Sequence, residues 1–183
     1  GFITTVSNYD YGINWVFHQD GTLELESQLT GIMLAKGTDM KSMADHGDSH
    51  GDHPDMKFGH LVAPYVVAPH HQHFFNFRLD LDVDGADNNS VAELNSKAMR
   101  MGSENPKSNG FVMEELPIKS ELSAGRDLNY QAQRKWKVFN PTQKNSLGYN
   151  PGFILVTGEN AAPYLQPASS LLTRGGFISH PVW

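Results

Sequence analysis

From Phe75 to Val83 the chain is apolar at every second position. Phe75, Phe77, Leu79, Leu81 and Val83 form one set, and Arg78, Asp80, Asp82 and Asp84 form the other. A period of two marks a β-strand with one face covered, because successive side chains point to opposite sides of the backbone. This is the clearest strand pattern in the chain, and Asp84-Gly85 closes it. Residues 11–18 (YGINWVFH) are aromatic and β-branched, QDGT follows as a turn, and Leu23 and Leu25 then alternate with Glu24 and Glu26. That sequence predicts a hairpin, with Asp20-Gly21 as a tight turn needing positive φ and the leucine face buried. QAQRKWKVFNP, ending at Asn140-Pro141, and GFILV (152–156) read as further strands. Residues 86–130 are less patterned, with helical turns expected near 91–100. The chain is therefore expected to be mainly β.

Residues 36–60 break the pattern. They are polar and rich in aspartate, carry His46, His50, His53 and His60, and read as a long His/Asp-rich loop excursion from the sheet. Both ends of the chain look like interruptions of strands: Gly1-Phe2-Ile3 enters in mid-strand, and the tail ends on apolar HPVW. The expectation is a segment of a single larger domain, 1–183, incomplete at both ends.

Composition excludes some classes. Without cysteine, a disulfide framework, a thiolate zinc site and a cysteine nucleophile are ruled out within these residues. A net charge of −6 argues against a nucleic-acid partner, which calls for a basic stripe. No apolar run approaches the ~18–20 residues of a membrane-spanning helix, so no membrane partner is expected. No phosphate loop or nucleophile elbow is present.

Three constellations remain that can carry chemistry. His71 and His73 stand two apart, which on a strand aims both imidazoles to one side, a geometry suited to copper, zinc or iron. His70 adds an adjacent ring, and His180 is the histidine far from this cluster. Asp80 and Asp82, with the Leu81 carbonyl between them, offer hard oxygen donors that suit calcium or manganese, or else a solvated outer face. The tract DHGDSHGDHPD (45–55) is either a loose metal-holding segment or a hydrated loop.

Near the start stands Thr5-Val6-Ser7-Asn8-Tyr9-Asp10, followed by Tyr11, with His71-Gln72-His73 placed 62 positions after Tyr9. RLDLDVDG follows, and TGIMLAKGT, GHLVAP, FNPTQKN and LGYNPGF occur in order. Across nearly its whole length the chain resembles the C-terminal catalytic domain of the copper-containing primary amine oxidases, most closely their bacterial periplasmic branch. The resemblance implies a large antiparallel β-sandwich, a homodimer and a periplasmic or secreted location. It implies oxidative deamination of primary amines by dioxygen to aldehydes, with release of hydrogen peroxide and ammonia. Tyr9 would be the precursor of the cofactor topaquinone, with Asn8 and Asp10 holding its ring, and His71 and His73 would bind copper. Asp80, Leu81 and Asp82 would contribute to a calcium site and Glu121 to a second one. The family's catalytic base and third copper histidine fall outside the matching stretches, and His180 is not expected to be a ligand. The alternative is a non-enzymatic His-rich metal-binding β protein, which explains the histidines but not TVSNYDY. A cupin-type metalloenzyme also uses His-x-His, but it needs a glutamate that FFNFRL (74–79) does not supply.

Overall fold

The computed structural model describes residues 1–46, 53–158, 160–175 and 178. The chain divides into two compact units, Gly1–His73 and Phe74–Trp183. Both are built on antiparallel sheet.

In the first unit, β1 (Phe2–Val6), β2 (Tyr9–Phe17) and β3 (Leu23–Gly31) form a meander in that order. β1 and β2 are joined by the two-residue turn Ser7-Asn8, with Ser7 at φ +59° and Val6 paired to Tyr9. The positive φ lets so short a link follow the strand twist. β2 and β3 are joined less tightly than expected: the His18 amide donates to the Thr22 carbonyl at 2.9 Å, enclosing Gln19, Asp20 and Gly21. Gly21 takes the positive φ of +87°, and the Asp20 carboxylate accepts from the Thr22 amide at 2.9 Å. The leucine face of β3 is only partly covered. Leu25 is half-buried but Leu23 is exposed, so the alternation marks a face without specifying how much covers it.

The excursion at 36–60 holds more structure than a loop. β4 (Lys36–Gly37), β5 (Gly59–Ala63) and β6 (Val66–Pro69) form a small sheet of order β4-β6-β5. A short helix α1 (Pro54–Lys57) precedes β5, capped by His53 Nδ1, which accepts from the Asp55 amide at 3.2 Å. The buried apolar residues of this unit include Ile13, Met40 and Val67.

In the second unit, β7 (Ser90–Ala98), β8 (Phe111–Ile118), β9 (Lys135–Phe139) and β10 (Gly152–Leu155) form a sheet of order β10-β9-β7-β8. A short helix α2 (Ser170–Arg174) follows. The helical turns expected near 91–100 are instead the interior strand β7. Its Ala, Glu, Leu and Lys are good helix formers, but hydrogen bonding on both edges overrides that weak preference. Ala92, Leu94, Trp136 and Phe139 are buried there.

Glu93, between Ala92 and Leu94 on β7, is buried as well, at 4% exposure. Arg126 Nε reaches its carboxylate at 2.5 Å, Arg134 Nε at 2.9 Å and Asn95 Nδ2 at 2.6 Å. Burial pushes this carboxyl up, but the hydrogen bonds from Asn95 and Arg126 and the charges of Arg134 and Arg126 outweigh it and hold it below the usual range.

Phe75–Val83 is also corrected: no residue from 74 to 82 belongs to a ladder. The Phe75 and Phe77 rings stack at 6.4 Å and 7°, so these two side chains still share a side. Periodicity records which face is apolar; a strand also needs a hydrogen-bonding partner, and none of the described strands pairs with this segment.

Candidate functional site

The Thr-x-x-Asn-Tyr-Asp stretch wraps the β1–β2 turn, and its Thr5, Asn8 and Asp10 each have a mechanical task. Thr5 and Asp10 face each other across the hairpin, and the Thr5 hydroxyl donates to the Asp10 carboxylate at 2.5 Å. The Asn8 side-chain amide donates to the Ile32 carbonyl, and the Ile32 amide returns a bond to the Asn8 carbonyl at 2.6 Å. Asn8 thus ties the turn to the end of β3, and Asp10 ties β2 to β1. Both fix the backbone on either side of Tyr9.

Tyr9 pairs with Gly31 across β2 and β3. Gly31 sits at φ +101°, and a Cβ there would fall 2.6 Å from the Asp10 nitrogen, 2.7 Å from the Asn8 oxygen and 2.8 Å from the Tyr9 Cα. Only glycine permits that approach.

The half-buried Tyr9 presents its hydroxyl 2.7 Å from His71 Nε2, while the Leu34 amide donates to the same oxygen at 3.1 Å. His71 Nδ1 lies 2.8 Å from the Pro69 carbonyl. A carbonyl only accepts, so Nδ1 carries the ring proton and Nε2 keeps the lone pair. The phenol of Tyr9 therefore donates to His71. His73 packs edge-on to the Tyr9 ring, with centroids 4.7 Å apart at 87°, and 4.8 Å from the His71 ring. Burial, and then the neighbouring His71, hold His73 below the usual imidazole value. That favours the neutral ring, the form that binds a metal.

Sequence reasoning missed Tyr11, whose hydroxyl lies 2.8 Å from His73 Nδ1. Both hydrogen-bonded pairs, 9 with 71 and 11 with 73, are separated by 62 residues. The signal was present in the sequence: two tyrosines and two histidines, each pair two residues apart. The bonds from Leu34 and Pro69 come from backbone groups and had no sequence signal.

The donor set fits a copper ion in part. Two imidazoles beside a phenol, one of them turned by a carbonyl so that its lone pair faces the phenol, suit a nitrogen-bound metal. Among the described residues no group of three or more His, Asp or Glu converges. Of the other described histidines, His53 Nε2 engages Asp39 at 3.0 Å and its Nδ1 caps α1, His18 Nε2 meets Glu24 at 3.0 Å, and His60 and His70 are exposed. His46 ends a short 3-10 turn, Met43–His46, and His50 and His180 lie outside the described residues. The calcium-type residues belong to the second unit. Asp80 and Asp82 are exposed, Leu81 is half-buried, and Glu121 opens an exposed 3-10 turn, Glu121–Ser123. Two carboxylates and a carbonyl fall short of the ~6–8 oxygens that calcium takes.

The arrangement is that of an antiparallel β protein that sets a tyrosine hydroxyl against a histidine pair just beyond a strand. The chain belongs to the copper amine oxidase family: the model of the copper amine oxidase enzyme domain matches residues 1–183. It is 37% identical over its full length to a copper-containing peroxisomal diamine oxidase of Nicotiana tabacum, of which it covers 22%. It is 35% identical over its full length to a histamine oxidase of Arthrobacter globiformis, of which it covers 25%. Plant and bacterial relatives thus stand at similar distances. The crystal structure of a copper-containing benzylamine oxidase from Hansenula polymorpha superposes with a TM-score of 0.82 at 25% identity, over 97% of this chain and 26% of the other. The chain spans about a quarter of the length of the relatives it matches.

Proposed function

We propose that this chain provides the cofactor tyrosine and two copper ligands of a primary amine oxidase. The enzyme converts a primary amine, dioxygen and water to an aldehyde, ammonia and hydrogen peroxide. The observation that carries this reading is the 2.7 Å hydrogen bond from the Tyr9 hydroxyl to His71 Nε2. Tyr9 is the precursor of topaquinone, and His71 and His73 hold copper through ring nitrogens. Once formed, the quinone supplies an electrophilic carbonyl and an electron sink that no unmodified side chain has, and copper supplies the means of making the phenol reactive towards dioxygen.

The chain's own residues prepare Tyr9. The hydrogen bond to His71 sets the phenol oxygen beside the Nε2 lone pair that copper would take, and the Leu34 amide would stabilise the negative charge left on that oxygen when its proton departs. The His73 ring edge limits the swing of the aromatic ring and keeps water from part of its face. Asn8, Asp10 and Gly31 hold the backbone beneath it.

The finer assignments belong to the same reading. The amine is small and primary, in keeping with the diamine, histamine and benzylamine oxidases that the chain resembles. The working molecule is a homodimer in the periplasm or outside the cell. Asp80, the Leu81 carbonyl and Asp82 contribute to one calcium site and Glu121 to another, with further oxygen donors from elsewhere. The test is the mass of the Tyr9 peptide in the copper-loaded, aerated protein. Added ring oxygen is expected, and an unmodified peptide in fully active enzyme would overturn the assignment.

A further inference from the structure

We infer that Tyr11 is a positioning residue for the metal centre: its hydroxyl holds the His73 ring so that Nε2, and not Nδ1, is presented to the ion. The inference rests on reading His71 and His73 as copper ligands. The two rings are anchored differently. His71 is oriented by a carbonyl of its own segment, Pro69, at 2.8 Å. For His73 the anchor is the Tyr11 hydroxyl, 2.8 Å from Nδ1, from a strand 62 residues earlier. The His73 ring stands between two tyrosines, 5.8 Å from Tyr11 at 65° and 4.7 Å from Tyr9 at 87°.

An imidazole that binds a metal through Nε2 carries its proton on Nδ1 and needs an acceptor there, and the Tyr11 oxygen is that acceptor. Without it, a half-turn of the ring about its bond to Cβ would replace Nε2 with a carbon at the metal. Tyr9 and Tyr11 are two apart on β2 and so share its face. One strand therefore carries both the reacting phenol and the hydroxyl that orients a neighbouring ligand. Tyr11 itself does not need to touch the ion or the substrate.

The experiment strips the protein of metal and titrates Cu2+ against a competing chelator in wild type, Tyr11→Phe, His71→Ala and His73→Ala, recording the copper EPR spectrum of each. Tyr11→Phe is expected to weaken Cu2+ binding by about 10-fold and to change the parallel hyperfine splitting, with the histidine variants weaker still. Wild-type affinity and an unchanged spectrum in Tyr11→Phe, alongside weak binding in His73→Ala, would overturn the inference and leave the ligand assignment standing. Wild-type affinity in both histidine variants would overturn the ligand assignment and the inference with it. If Tyr11→Phe does not fold, ring 15N shifts of His73 in the Zn2+-loaded wild type decide the matter. A protonated Nδ1 with metal on Nε2 supports the role, and metal on Nδ1 refutes it.

Discussion

The Tyr9 hydroxyl donates to His71 Nε2 across 2.7 Å, joining a β2 side chain to a ring just beyond β6. The bond makes the phenol and the candidate ligand one unit, and removing the hydroxyl separates their roles. Tyr9→Phe is expected to retain Cu2+ binding while losing all redox-cycling quinone stain and all oxidase activity. Gel staining and metal analysis of the same sample check this, and stain in the phenylalanine variant would sink the assignment.

Gly31 is the backbone seat of Tyr9. Gly31→Ala would set a Cβ within 2.6–2.8 Å of three backbone atoms and force a side chain into φ +101°. Overpacking and left-handed strain together are expected to cost about 2–4 kcal/mol. Urea denaturation measures the loss, and slower quinone formation should accompany it because the strain falls on Asn8, Tyr9 and Asp10.

Asn8→Ala removes the side-chain bond to the Ile32 carbonyl but keeps the β1–β2 turn. The expected destabilisation is about 1 kcal/mol. The effect on cofactor formation should be larger than that number suggests, because the bond fixes the residue next to Tyr9. Equal effects on folding and on quinone yield would show that Asn8 has no role beyond stability.

Glu93 gives the second unit an acid-sensitive lock. Its carboxyl is held below the ordinary glutamate range, near pH 4.5, so its stabilisation is full above that value. As pH falls further and the folded-state carboxylate takes up a proton, that stabilisation is lost. Glu93→Gln should remove this part of the acid transition. At neutral pH it is expected to cost about 2–3 kcal/mol, less than a fully buried pair because both guanidinium groups reach solvent. Denaturation midpoints of both proteins between pH 3 and 7 are the measurement, and parallel curves would exclude the lock.

The hairpin of β2 and β3 was legible because aromatic and alternating residues flank a Gly turn, a local signal. β7 was not, because its composition favours helix and its strand state depends on β8 and β9, remote in sequence. Phe75–Val83 erred in the opposite direction, since alternation reports a face and not a partner. At the site, Tyr9, His71 and His73 came from resemblance and residue type. Tyr11 was readable from the matching spacing of the two tyrosines and two histidines, whereas Leu34, Pro69 and Gly31 emerged only once the chain was folded, because their contributions are an amide, a carbonyl and a missing side chain.

The stretch between β4 and β5 separates the tyrosine's meander from the strand that leads to the histidines. Its ends are pinned by the β4–β6 and β5–β6 pairings. Within it the Lys36 ammonium of β4 meets the Asp55 carboxylate of α1 at 2.5 Å, and the Met40 carbonyl accepts from the Tyr65 amide at 2.8 Å, next to β6. The segment just beyond β6 that carries the two rings is thus braced by residues far from it in sequence, and a substitution at Lys36 or Asp55 should be felt at the tyrosines of β2 as well as in stability.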